Sequence, residues 1–350
     1  MRNVQSMGIV LAVSLVGVWI FTLLHLPVPW LLGPLFFVLI SQFFIKMDFY
    51  WPASLRNMGL IIIGISIGQN FQFHMFKNMG WLIGVMLLMN GMILLFSILL
   101  SLMLVKVGNL PLKTAFTCTV PGGFSQIVAF AEEEEDIDLP IVTYFHVIRV
   151  ISIVLGIPLL LHVHVVNSQK ESAISFSTLM VLILLFLVAM GTVWIGKKIK
   201  IPVPYFLSPL ILVIGLQFFS IETPEVPSLF LHIAQLMMGA YIGRLLTPKM
   251  LVLEKKIIFL GVLTTILLLL FTVGQGWMLM EMMNYSLPTG ILSTAAGGLD
   301  QMSLLASAIG ADVSVVTVFQ LFRILFVFIL VLPLLKAFCR YIDQRNERKV

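Results

Sequence analysis

The chain has 350 residues, of which 60% are hydrophobic and 11% charged, and its formal net charge is +5. A soluble domain carries about 25% charged residues, so this chain cannot cover a water-facing surface with the charge it has. Its basic residues lie in short clusters between apolar runs, which reads as membrane topology and excludes a nucleic-acid-binding face.

The apolar runs come at lengths near the about 20 residues that span a bilayer. In chain order the first half predicts elements at 6–25, 27–45, 54–70, 79–105, 113–132 and 139–165. The second half predicts 176–196, 202–220, 229–245, 257–281, 288–309 and 313–338. The first run follows Arg2 as a signal peptide would, but no small-x-small site ends it. It also has a counterpart in the second half, so it belongs to the fold.

Special residues recur at an offset of 175. Pro27, Pro29 and Pro34 return as Pro202, Pro204 and Pro209, and Pro52 returns as Pro227. Gly64 and Gly68 return as Gly239 and Gly243, and Gly122 and Gly123 as Gly297 and Gly298. After one deletion, Asp138 returns as Asp312 and Arg149 as Arg323. The expectation is a duplication, with repeats at 1–170 and 171–350. Gly64, Gly68, Gly239 and Gly243 form one Gly-x-x-x-Gly pair per copy, a spacing that lets helices approach closely.

The fifth element of each copy holds Pro121-Gly122-Gly123 or Ala296-Gly297-Gly298. Interior glycine costs about 1 kcal/mol and interior proline about 3 kcal/mol in a helix, so a break is expected in both. With Ala296 in place of Pro121, the second break is expected to be softer. If each fifth element enters and leaves on one side, 17 basic residues face the cytoplasm and two, Lys77 and Lys170, face outward. If all twelve elements cross, the split is 11 to 8. The positive-inside rule therefore favours ten spans and two re-entrant elements in inverted copies, with both termini cytoplasmic. A non-spanning sixth element scores as well, but that element is long and unbroken, and a crossing but unwound fifth helix is a third arrangement. The expected fold class is thus an all-α integral membrane protein with two inverted six-element repeats. Inverted repeats with broken helices are the architecture of many secondary transporters.

The segment Thr119 to Gln126, the acidic run after it, and His146-Val-Ile-Arg149 resemble the bacterial membrane AbrB family. The echo at Ala296–Met302, Gly310–Asp312 and Gln320–Arg323 does so too, and the resemblance covers nearly the whole chain. Members carry labels such as transcriptional regulator or ammonia monooxygenase. A soluble DNA-binding protein shares the name but has no likeness to this chain. The family is distantly similar to cation/proton antiporters and bile-acid-type transporters. The resemblance implies a bacterial inner-membrane location. It leaves open a secondary transporter or exporter of a small solute, a membrane regulator acting through a partner, and a membrane oxygenase.

The candidate site follows the breaks: Pro121, Gly122, Gly123, Ser125 and Gln126 in the first copy, and Gly297, Gly298, Asp300 and Gln301 in the second. Arg149 and Arg323 each lie about ten residues into a long apolar run. A central arginine costs at least about 2.5–3.5 kcal/mol on insertion scales, so each needs a partner. One reading is a clamp for an anion or carboxylate, aided by the half-helix N-termini after the glycines. The other is structural: pairing with Asp300, or capping carbonyls freed by the break. His146, one turn before Arg149, is either a proton carrier or a hydrogen-bonded packing residue. Glu132–Asp136 reads as a solvated loop, and Asp138 and Asp312 read as N-caps. No metal cluster, P-loop or nucleophile motif is present, so no enzyme activity, metal or cofactor is expected. The expected partners are the lipid bilayer and a small solute, of which an anion is one form. H+ or Na+ as coupling ion and a homo-oligomeric assembly are further expectations, and no direct contact with nucleic acid is expected.

Overall fold

A chain crossing a bilayer must satisfy its backbone polar groups internally, and a helix does so within one segment. The computed structural model describes residues 2–45, 48–71, 79–122, 124–134, 136–161, 176–221 and 223–347, and among them no strand occurs. The first half gives α1 (Arg2–Leu23), α2 (Pro29–Phe44), α3 (Ala53–Gln69), α4 (Met79–Gly108), α5 (Leu112–Thr119), α6 (Phe124–Glu133) and α7 (Leu139–Leu161). The second gives α8 (Phe176–Lys198), α9 (Pro204–Phe218), α10 (Ser228–Leu245), α11 (Lys255–Met283) and α12 (Leu287–Thr294). It ends with α13 (Leu299–Ile309), α14 (Val313–Phe326) and α15 (Leu332–Glu347), the last two joined by a π-helical turn, Val327–Val331.

Helix starts recur 175 residues apart at Pro29 and Pro204, Ala53 and Ser228, Leu112 and Leu287, and Phe124 and Leu299. Left-handed backbone recurs with them, at His25 and Lys200, Val28 and Val203, and Asn109 and Asn284. Six described stretches are long and apolar enough to cross a membrane: Asn3–Leu23, Gly80–Gly108, Leu139–Leu161, Thr178–Lys198, Lys255–Met283 and Val313–Cys339. α2, α3, α9 and α10 are shorter, at 16, 17, 15 and 18 residues. Each starts at or next to a proline, which lacks the N–H an upstream turn would use.

The chain forms two compact units, and each draws segments from both halves. The first comprises Met1–His74, Val154–Lys249 and Asp300–Val316. Its helices pack in the order α1, α2, α10, α3, α9, α8, so the third element of each half lies on the second element of the other. Glycine makes these crossings. Gly239 and Gly243 lie against the carbonyls of Leu31 and Leu35, and Gly64 and Gly68 against those of Phe206 and Leu210, where a Cβ would meet backbone. The close approach expected from the Gly-x-x-x-Gly pairs is therefore present, between halves. Gln42 donates to Gly243 O at 2.9 Å, and Gln217, 175 residues on, donates to Gln69 O at 2.6 Å, so each ties a second element to the end of a third.

The second unit comprises Met75–Ile153, Met250–Leu299 and Thr317–Val350. Here α4 crosses α11, with α5 on α4 and α12 on α11. Phe96 stacks on Phe271 with centroids 4.2 Å apart, Gln275 donates to Met89 O at 2.9 Å, and Tyr144 donates to Ile258 O at 2.9 Å. This unit holds the unwound turns of both broken elements.

Candidate functional site

A helix leaves its last four carbonyls without intrahelical partners, and inside a bilayer those groups need donors. α5 stops at Thr119, residues 120–123 are non-helical, and α6 resumes at Phe124. Pro121 forces this, because a residue before proline avoids the helical region; Val120 is extended, at φ −55° and ψ 124°. Gly122 N–H then closes a tight turn onto Val120 O at 3.0 Å. α12 stops at Thr294 in the same way: Ala295 has φ −56° and ψ 131°, and Gly297 N–H bonds Ala295 O at 2.8 Å. Both breaks span four residues, so the second is not softer than the first. Proline is not what sets its length; the side chains that cap the freed carbonyls are the same in kind.

Those caps are the two arginines. Arg149 donates through its two terminal nitrogens to Val120 O at 3.0 Å and Gly122 O at 3.3 Å. Arg323 donates to Thr294 O at 3.0 Å. Each has a helper one turn earlier. His146 Nε2 lies 2.9 Å from Thr117 O, and its Nδ1 lies 2.8 Å from Arg149. These bonds require a neutral ring with its hydrogen on Nε2, since Nδ1 must accept. Gln320 donates to Leu292 O at 2.7 Å and Ala295 O at 3.1 Å, while its carbonyl oxygen accepts from Arg323. Arg149 and Arg323 are 3% and 6% exposed, and His146 and Gln320 are fully buried. Hydrogen bonds to a charged donor are worth about 1.5–3 kcal/mol each, and a cation at a helix C-terminus also opposes the dipole there.

Pairing of the arginines with Asp300 is the alternative that fails. The ion pairs among the described residues are Arg56–Asp300, at 3.4 Å, and Lys113–Asp136, at 2.9 Å. Asp300 is buried in the first turn of α13, and its cation comes from α3, held over the Tyr241 ring at 5.0 Å. The guanidiniums also reach the carbonyl end of the half-helix before each break, not the amide end after it.

Of the other sequence-predicted residues, Pro121, Gly122, Gly297 and Gly298 form the unwound turns, and Gly123 lies outside the described residues. Ser125, Gln126 and Gln301 fall in the first turns of α6 and α13. In the acidic run, Lys113 at the start of α5 holds Asp136. Asp138 and Asp312 cap α7 and α14, accepting from Ile141 N at 3.1 Å and Val315 N at 3.0 Å.

Sequence reasoning missed residues on α11. A small recess of about 10 Å3, room for about one water-sized group, is lined by Leu100, Cys118, Thr119, Arg149, Thr264 and Thr265, among others. The signal was present: two adjacent hydroxyls interrupt an apolar run. Arg56, read as a topology marker, was missed as the partner of Asp300.

Long apolar helices, two of them unwound and capped by buried guanidiniums, define an all-α integral membrane protein. The chain belongs to the AbrB family: the family profile described as "Transition state regulatory protein AbrB" matches residues 30–339. It is similar to "Uncharacterized protein YhjN" of Bacillus subtilis (strain 168), at 24% identity over 367 residues, covering 97% of this chain and 94% of that protein. It is also similar to "Putative regulator AbrB" of Escherichia coli (strain K12), at 27% identity over 314 residues, covering 87% and 88%.

Proposed function

We propose that this protein is a secondary transporter of a small anionic solute in the bacterial cell membrane, built from two inverted repeats of five spans and one re-entrant element, with both termini in the cytoplasm. The observation that carries the reading is charge without a counter-charge. Arg149 and Arg323 are buried, and their partners are carbonyls and a neutral His or Gln. A half-helix C-terminus offsets about half a charge, so each break keeps a surplus near half a unit, suited to an anion. Unwound backbone at membrane depth is tolerated where protein buries it or a cavity receives it, and alternating access in transporters uses such breaks.

The test is anion flux in proteoliposomes, with formate, acetate and chloride gradients as probes, comparing wild type with Arg149→Gln and Arg323→Gln. Wild type should carry at least one of these anions and each variant should lose it. Unchanged flux in both variants removes the arginines from the path, and no flux of any probe in wild type removes small anions as cargo. Cysteines placed near Lys113 and Glu133 test the topology: labelling from opposite sides would mean that the fifth element crosses.

A second reading draws on the printed name of the Escherichia coli relative, a regulator. Gene expression then responds to the solute this protein moves, or to a partner on its cytoplasmic loops. Transcript profiles of a deletion strain complemented with Arg149→Gln separate these: rescue by a flux-dead variant means a partner, and failure means the solute.

A further inference from the structure

The recess beside Arg149 is built more specifically than a clamp of two arginines requires. Arg149 has both terminal nitrogens engaged, but its Nε–H is buried and has no partner. An unpaired buried donor costs about 1–3 kcal/mol, more on a charged group, so such a group is expected to meet an acceptor. Three threonines line the recess with it. The hydroxyls of Thr119 and Thr264 are already donated to carbonyls of their own helices. Thr265 is buried and its hydroxyl makes no bond to a described residue, which leaves it as a second donor. Cys118 and Leu100 complete an otherwise apolar wall.

The second half shows why this place is open. Positions 175 residues on from Leu100, Cys118 and Thr119 are Gln275, Ser293 and Thr294. There Gln275 donates across to Met89 O at 2.9 Å, and Thr294 donates to Thr272 O at 2.8 Å. Polar side chains tie α4 to α11 and α12 to α11, where Leu100 leaves room in the first half.

We propose that this recess binds one acceptor atom of a small monovalent anion, a carboxylate oxygen or a halide, between Arg149 Nε–H and the Thr265 hydroxyl. The proposal rests on the anion-transport reading and gives that reading its binding residues. Selectivity follows from size: one atom enters, so a compact anion seats and a bulky hydroxylated one does not.

The experiment is the melting temperature of the purified full-length protein in detergent, titrated with sodium formate or sodium chloride against sodium gluconate at constant ionic strength. A ligand at 100 times its dissociation constant stabilises the native state by about 2.7 kcal/mol, so a saturable rise of several degrees with formate or chloride is expected, and none with gluconate. Thr265→Val and Cys118→Leu, which remove a donor and fill the recess, should abolish the rise, while Thr265→Ser should keep it. Arg149→Gln should abolish it too, and because that variant also loses a cap, the threonine pair decides the matter if it melts early. A rise that survives Thr265→Val and Cys118→Leu, or no anion-specific rise in wild type, overturns the proposal. Binding without flux would instead remove the transport reading and leave the site, and flux without binding here would remove the site alone.

Discussion

The glycine crossings of the first unit give the sharpest test of the fold. A Cβ built on Gly64 would lie 2.5 Å from Phe206 O, against about 3.3 Å or more for a normal C···O contact. The obstacle is a backbone carbonyl, so no rotamer relieves it, and α3 and α9 must move apart by most of an ångström. Overpacking of this kind costs about 1–3 kcal/mol. A rigid obstacle belongs at the upper end, while alanine returns about 1 kcal/mol of helix propensity, so the net loss is about 2 kcal/mol. Gly84 on α4 has open space where its Cβ would go, so Gly84→Ala should gain about 1 kcal/mol from propensity alone. The two variants therefore differ by about 3 kcal/mol, or roughly 5–10 °C if about 2–4 °C corresponds to each kcal/mol in a chain of this order. The measurement is thermal melting in detergent by fluorescence-detected size exclusion. Gly239→Ala, which would meet Leu31 O in the matching crossing, should behave as Gly64→Ala does. Equal melting of Gly64→Ala and Gly84→Ala would refute the close approach of α3 and α9, and with it the interlocking of the two halves.

Gln320→Leu strips donors from Leu292 O and Ala295 O and an acceptor from Arg323, and should lower the melting temperature by an amount equivalent to 2 kcal/mol or more; Gln320→His should recover most of it, because His146 fills the matching place. Asp138→Ala and Asp312→Ala each remove an N-cap and should cost about 0.5–2 kcal/mol in the same assay. Arg56→Gln leaves the buried Asp300 carboxylate without its cation and should destabilise strongly, with Asp300→Asn added to it restoring part of the loss; a strictly additive double variant would show that the pair is not coupled.

Much of the fold was legible because the residues that break or shorten helices have few alternatives. Prolines at 29 and 204 mark the starts of α2 and α9, and the glycine pairs at 122–123 and 297–298 mark the unwound turns. What sequence could not reveal was partnership across the chain. Nothing in the spacing of Gly64 says that its neighbour is Phe206 rather than a helix of its own half, because the crossing depends on how two halves interlock. Nor does a lone Arg56 near the end of a loop announce a buried carboxylate 244 residues away. The second break misled for a local reason: Ala296 lacks the covalent constraint of Pro121, yet Ala295 and Val120 share one backbone conformation because the capping bonds select it.

The comparison of His146 with Gln320 says what the breaks require. Imidazole and carboxamide share little chemistry: one takes up a proton near neutral pH in water, and the other does not titrate. They nonetheless hold the same position relative to their arginines, three residues earlier on the same helix. Each donates to the carbonyl of the matching residue, Thr117 or Leu292, and each accepts from the guanidinium. The property common to both is one donor and one acceptor in line. A proton on His146 Nδ1 would convert that acceptor into a donor aimed at a cation, so proton movement at this residue requires Arg149 to leave its cap. Any coupling carried by His146 is therefore tied to a motion of the first break, and Gln320 gives the second break the same anchoring without that sensitivity.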